Sequence, residues 1–114
     1  HMPEIVNLSI TQSAAAELSR QASFAGTPGE MFIDLISDFD QEGWLHIALK
    51  PGICNGAPIS RSGGVTLYAK AEKLELFKGL SLDYYSDLSG GSFLISAPKK
   101  AIRCSCGSGF KLLD

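Results

Sequence analysis

The sequence predicts an α+β domain in which one long N-terminal helix covers a mainly antiparallel or mixed sheet. Its length of 114 residues, with 45% hydrophobic and 19% charged residues, fits one globular domain with a single core. Apolar residues recur at three- and four-residue spacing in one stretch near the start, which is typical of a helix. Apolar and polar residues alternate in most of the later stretches, which is typical of strands.

The long helix is predicted to begin at Thr11 or Ser13, since either side chain can cap it, and to run to about Ala25 before Gly26 and Pro28. Residues 5–10 are predicted as a strand or an extended arm. Strands are predicted over 31–36, 44–49, 65–69, 80–85 and 93–95, with an acidic turn at 38–43 and one short helix over 71–78. The Pro- and Gly-rich stretch 51–64 is predicted as loop or irregular extended chain, and Pro98 as the end of the sheet.

Charge and composition exclude several classes of function. The net charge is -2 and no basic run is longer than Lys99-Lys100, so neither nucleic acid nor an anionic membrane is an expected partner. No apolar run is long enough to span a bilayer, and the start at Met2 lacks the pattern of a signal peptide. His1 is interpreted as a residue left by cloning, so the predicted domain is 2–114. Three cysteines, an odd number, favour a reducing compartment, and the cytoplasm is predicted.

The strongest chemical signal is the Cys-x-Cys pair formed by Cys104 and Cys106, with Gly107 and Gly109 close by. Thiolates are soft ligands, and glycines give the backbone the freedom to aim two neighbouring sulfurs at one metal or at two irons. Two other interpretations remain open, an inert frayed end and a thiol redox pair. The segment 103–114 is predicted to be a flexible, ligand-bearing tail.

Several stretches together resemble one known family. They are Ile10-Thr11 before an Ala-rich helix, a strand hairpin near residue 40, Leu82-Asp83-Tyr84, Gly91-Ser92-Phe93 before Pro98, and the closing stretch from Cys104 to Phe110. The closing stretch is similar to the Cys-Gly-Cys-Gly-x-Ser-Phe ending of the A-type iron-sulfur carriers, small HesB-like proteins of cluster assembly. The resemblance implies a compact β-rich fold and a dimer or higher oligomer. It also implies a non-enzymatic protein that binds an iron-sulfur cluster or iron between subunits and interacts with assembly proteins and recipient apoproteins.

The resemblance also implies a ligand set. The family uses the two tail cysteines, here Cys104 and Cys106, and a third in a Gly-Cys-Ser-Gly turn, which would fall near Phe39 or Asp40 and is absent from this sequence. Two protomers would then offer four thiolates to a shared cluster. Asp40 and Cys54 are possible replacement ligands.

Each residue also has a plainer interpretation. The turn that contains Asp40 can be a solvated hairpin turn, Cys54 a small buried hydrophobe, and His46 a packed or surface residue. The alternative function is that of a member that has lost its metal and acts as a protein-interaction or regulatory module.

Overall fold

The computed structural model describes residues 8–37, 44–96, 101–103 and 109–112, and for Trp44 and the last two segments it describes the backbone only. Its strands are β1 (Leu8–Ile10), β2 (Glu30–Ser37), β3 (Trp44–Pro51), β4 (Ala57–Ser62), β5 (Val65–Ala69), β6 (Leu80–Asp87), β7 (Gly90–Ser96), β8 (Ala101–Arg103) and β9 (Gly109–Leu112). The helices are α1 (Gln12–Phe24) and α2 (Leu74–Phe77), the latter preceded by a 3-10 turn at Ala71–Lys73. Neither helix of these described segments is long and apolar enough to cross a membrane.

The strands form two mixed sheets. The smaller has the order β1-β6-β7 and the larger the order β4-β5-β2-β3-β9-β8. β1 pairs in parallel with β6, and β2 in parallel with β5, while the other pairs are antiparallel. The predicted α+β fold with mixed strands and one long and one short helix is therefore confirmed.

Helix α1 begins where the sequence predicts. Thr11 has extended backbone angles, and its Oγ1 accepts a hydrogen bond from the amide of Ala14 at 3.2 Å. The same hydroxyl donates to Oδ1 of Asp83 on β6 at 2.7 Å, and Ser13 donates to that oxygen at 2.9 Å. One carboxylate thus ties the start of the helix to the smaller sheet, and it satisfies hydroxyls that would otherwise need water.

The core lies between α1 and the inner faces of the two sheets. Alternation along β2 places Met31, Ile33 and Leu35 on this inner face, with at most 2% of each exposed. Other fully buried members are Leu8, Leu18, Ile59, Leu67, Phe77, Leu80, Leu82 and Ile95. Leu45, Ile47 and Leu49 of β3 pack against the same cluster and extend it toward the tail.

Two expectations about the sheet are wrong. Residues 57–62, predicted as loop or irregular extended chain, form the paired strand β4, whose register shifts between Pro58 and Ser60 while Ile59 is fully buried. The hydroxyl of Ser60 donates to the carbonyl of Leu8 and joins the two sheets. The sheet also continues beyond Pro98, through β8 and β9. A proline and a register shift hide the alternation in β4, and strands as short as β8 and β9 depend on tertiary pairing for their stability.

Candidate functional site

The Cys-x-Cys segment connects two paired strands at one side of the larger sheet. β8 pairs with β9, with Arg103 opposite Phe110, and β9 pairs with β3, with Leu45 opposite Phe110. Cys104 and Cys106 themselves lie outside the described residues, as do the other residues of 104–108. Of the two described residues that flank that segment, Gly109 lies opposite His46 in the first half of β3, and Arg103 lies one strand further out, on β8.

The residue of β3 directly opposite Gly109 is His46. Its neighbours Leu45 and Ile47 pack on the core, so His46 lies on the other, outer face of the sheet, where its partner on β2 is the half-exposed Ile36. The imidazole is itself half-buried. A histidine therefore lies beside the strand that follows the two cysteines, and the neighbouring position on that strand has no side chain.

The outer face also carries a carboxylate, Asp34, that is paired with two lysines and lies two residues from Ile36 on β2. Lys73 Nζ lies 2.7 Å from Asp34 Oδ1, and Lys70 Nζ lies 3.6 Å from Oδ2. Burial raises the pKa of Asp34, but the hydrogen bond from Lys73, the amide of Leu35 and the two lysine charges outweigh burial and lower the pKa. Asp34 is therefore an ionised carboxylate whose charge is balanced within the protein.

Cys54 is exposed, in contrast to the expectation of a buried hydrophobe. It follows β3 in a loop where both Cys54 and Asn55 have positive φ angles, 51° and 60°, and its thiol donates to the carbonyl of Pro51 at 3.7 Å. Pro51 is five residues from His46 along β3, about 17 Å in an extended strand. The described backbone thus places Cys54 well away from the point where β9 meets β3.

The second suggested replacement ligand, Asp40, lies in the turn 38–43 outside the described residues. The part of the chain that the structure describes contains no group of three or more His, Cys, Asp or Glu side chains able to hold a metal ion. The ligand set predicted from the sequence, Cys104 and Cys106 with Cys54 or Asp40, is therefore left untested.

The position of His46 relative to the tail is the feature that the sequence analysis missed. Alternation places His46 on a strand, but it does not reveal which strand lies beside it. Since β9 was predicted as part of a flexible tail, the contact between β3 and the tail had no signal in the sequence. Recognising a strand in the four residues Gly109–Leu112 would have been needed to find it.

Comparisons with known proteins agree with the predicted family and fold. No family model matches the sequence. The uncharacterized protein slr1565 of Synechocystis sp. is 33% identical over 104 residues, which are 90% of this chain and 92% of that protein. The putative iron-sulfur cluster insertion protein ErpA of Acidovorax sp. is 29% identical over 105 residues, 91% of this chain and 85% of that protein.

A solved structure has a similar fold. The crystal structure of IscA with its 2Fe-2S cluster superposes with a TM-score of 0.76 at 26% identity, covering 94% of this chain and 99% of that one. The match extends over almost the whole chain. These relatives and the closing Cys-x-Cys motif lead to one conclusion: the chain belongs to the family of A-type, HesB-like iron-sulfur carriers.

Proposed function

We propose that this protein is a non-enzymatic iron-sulfur carrier, which binds a cluster through Cys104 and Cys106 and passes it to recipient apoproteins. The observation that carries the proposal is the tail hairpin, β8 and β9, which joins the Cys-x-Cys segment to the larger sheet of a fold shared with cluster-bearing IscA. Two thiolates separated by one residue are suited to an iron-sulfur cluster, since thiolates are soft ligands.

A second chain is needed to complete the site. One protomer contributes two thiolates, whereas a 2Fe-2S cluster takes four protein ligands. A dimer with two-fold symmetry would bring the same segment from each protomer to one axis and supply all four. The cluster is cargo in this scheme, because sulfur ligands that bind it can be exchanged for the thiolates of a recipient protein. We place the carrier in the cytoplasm, with assembly proteins as the source of the cluster.

Anaerobic reconstitution with iron and sulfide tests this function. The protein is expected to gain visible absorption and about two irons and two sulfides per dimer, while the variant with both Cys104→Ser and Cys106→Ser gains neither. Cys54→Ser is the matched control, because Cys54 is the exposed cysteine of the loop after β3. It is expected to load like the parent protein. Full loading of the double variant would contradict the assignment of the ligands.

Transfer is tested separately from binding. The loaded protein is mixed with the apoprotein of a 2Fe-2S ferredoxin, and the appearance of holoferredoxin is followed by circular dichroism. Transfer at a rate above that of free iron and sulfide supports the carrier. A chain that loads no metal at all would instead support the alternative of a protein-interaction module.

A further inference from the structure

We propose that strand β7 is a docking edge, to which an extended segment of a partner protein adds as an antiparallel strand and places a Lys or Arg side chain opposite Asp87. The proposal goes beyond cluster binding, because it uses none of the residues assigned to the cluster. It rests on residues 90–94 at the end of the order β1-β6-β7, which have no strand on their second side among the described residues. Gly90, Gly91 and Ser92 are exposed.

The other three strands at the ends of the two sheets each have a feature that blocks a further strand. β1 and β8 are only three residues long, and β4 contains Pro58, a register shift and Arg61. Short length, proline, bulges and charge are the usual means by which an exposed sheet edge is protected. β7 has seven residues without proline or charge, and it pairs with β6 through seven consecutive pairs without a register shift. Its free edge is therefore suited to accept a strand.

The hairpin that carries this edge is held in one conformation. The rings of Tyr84 and Phe93 pack across the two strands with their centroids 4.9 Å apart. Gly91 leaves room for the phenol of Tyr84, with which a Cβ at that position would collide. At the turn, Asp87 Oδ1 accepts hydrogen bonds from the amide of Ser89 at 2.9 Å and from its hydroxyl at 2.7 Å. An edge that is ordered in advance lowers the entropy that binding costs.

The side chains along β7 define the chemistry of the partner segment. Phe93 faces the core and Leu94 the solvent side of the smaller sheet, and both are half-buried, so apolar or β-branched residues suit the positions beside them. At the other end of the edge, Gly90 pairs with Asp87 and has no side chain. A partner residue opposite Gly90 would lie two strand spacings, about 10 Å, from Asp87, which a Lys or Arg side chain can bridge.

A recess on the solvent side of the hairpin fits the end of such a basic side chain. It has a volume of about 250 Å³ and is lined by Tyr85, Asp87, Ser89, Gly90, Gly91 and Ser92. None of these is basic. The hydrogen bonds from Ser89 lower the pKa of Asp87, so its carboxylate is ionised at neutral pH. The ring of Tyr85 is 58% exposed and offers its face to a cation. The charge of the recess therefore favours a basic side chain and disfavours an acidic one.

The size of the edge favours a partner protein over a second copy of this chain. Five residues of strand are about 17 Å long and lie about 5 Å from the next strand. They cover much less than the roughly 1,200 Å² that a stable interface buries. The proposed dimer also has its axis at the tail hairpin, which belongs to the larger sheet. A second axis at β7 would produce an assembly larger than that dimer.

A peptide of defined sequence tests the docking edge. The probe acetyl-Thr-Val-Ile-Thr-Thr-Lys-Thr-amide is titrated into the ¹⁵N-labelled apoprotein and followed by nuclear magnetic resonance. We expect saturable shifts at residues 90–94. With the free peptide at ten times its Kd, alternate amides of these residues should exchange with solvent about tenfold more slowly. The same peptide with proline as its fourth residue should not bind, and the peptide with glutamate in place of lysine should bind more weakly.

A matched pair of variants tests the role of the carboxylate. Asp87→Asn keeps an oxygen acceptor for Ser89, and it should weaken binding of the lysine peptide by up to about fivefold and abolish the preference over the glutamate peptide. Glu75→Gln, at an exposed position of α2, is the control and should change neither. Equal binding of the proline peptide, or no shifts at residues 90–94, would overturn the proposal. So would amides of residues 90–94 that exchange faster on dilution of the protein alone, because a second copy would then cover the edge. Since the apoprotein is used, none of these results bears on cluster binding.

Discussion

The two faces of the larger sheet differ in burial and in charge although the same strands build both. On the inner face, Ile33 of β2 is fully buried, and its strand partner Leu49 packs on the same core. On the outer face, Ile36 is 50% exposed and lies opposite His46, close to the Asp34 carboxylate with its lysines. The inner face stabilises the fold. Around Ile36 the outer face contributes less to the free energy of folding, although Phe32, near the start of β2 on that face, is only 4% exposed.

The largest expected loss of stability comes from truncating an isoleucine on the inner face, and an isoleucine on the outer face of the same strand provides the comparison. Ile33→Ala should lower the free energy of unfolding by about 2–5 kcal/mol, since it leaves a cavity between α1 and the sheet. Ile36→Ala, three residues along the same strand, should cost less than about 1 kcal/mol because half of its side chain already contacts water. Urea denaturation of both variants measures the difference. Equal losses would show that something covers the outer face and that the two faces are energetically alike.

Much of the inner face could be predicted from the sequence and little of the outer one. The spacing of Leu18 and Ala22 and the cap at Thr11 are local signals, so helix α1 was located to within one or two residues. The alternation of Met31, Ile33 and Leu35 likewise identified β2. Such signals act over a few neighbouring residues and need no knowledge of the partner strand.

The candidate site depends on pairing between segments far apart in the chain. Sixty-odd residues separate His46 from Gly109, and no periodicity links them. The short strand β9 contains a glycine and follows a glycine-rich segment, so its composition resembles that of a loop. The cysteines could be named from their spacing, but the pairing of His46 with Gly109 could be found only from the register of the sheet.

A smaller effect is expected at the cap of the helix that covers the inner face. Thr11→Ala removes both the hydrogen bond to the amide of Ala14 and the donor to Asp83, and it should cost about 1 kcal/mol of unfolding free energy. Ser23→Ala, at an exposed position near the other end of α1, is the control and should change stability little. Cluster loading at pH 7 should be retained by both variants, because the cap contacts β6 of the smaller sheet, whereas the tail hairpin belongs to the larger sheet. Loss of loading by Thr11→Ala alone would mean that the helix start and the cluster site are coupled.

The smallest effect concerns the charge balance of the outer face. Lys73→Met leaves Asp34 with the more distant Lys70, and it should reduce the free energy of unfolding at pH 7 by less than about 1 kcal/mol. Lys78→Met, on the exposed residue that follows α2, is the matched control and should leave stability unchanged.

The pH dependence of the stability difference between the parent protein and Lys73→Met shows whether Lys73 acts through its charge. The pKa of Asp34 is lowered in the folded protein, so its stabilising contribution is complete above the ordinary carboxyl pKa of about 3.9 and is lost as the pH falls through the lower folded value. The gap in stability between the parent protein and Lys73→Met should therefore be constant from pH 5 to 7 and close in more acidic solution. A gap that stays open when Asp34 is protonated would mean that Lys73 acts on the outer face through its other contact, the 2.7 Å hydrogen bond to the carbonyl of Leu35, and not through charge.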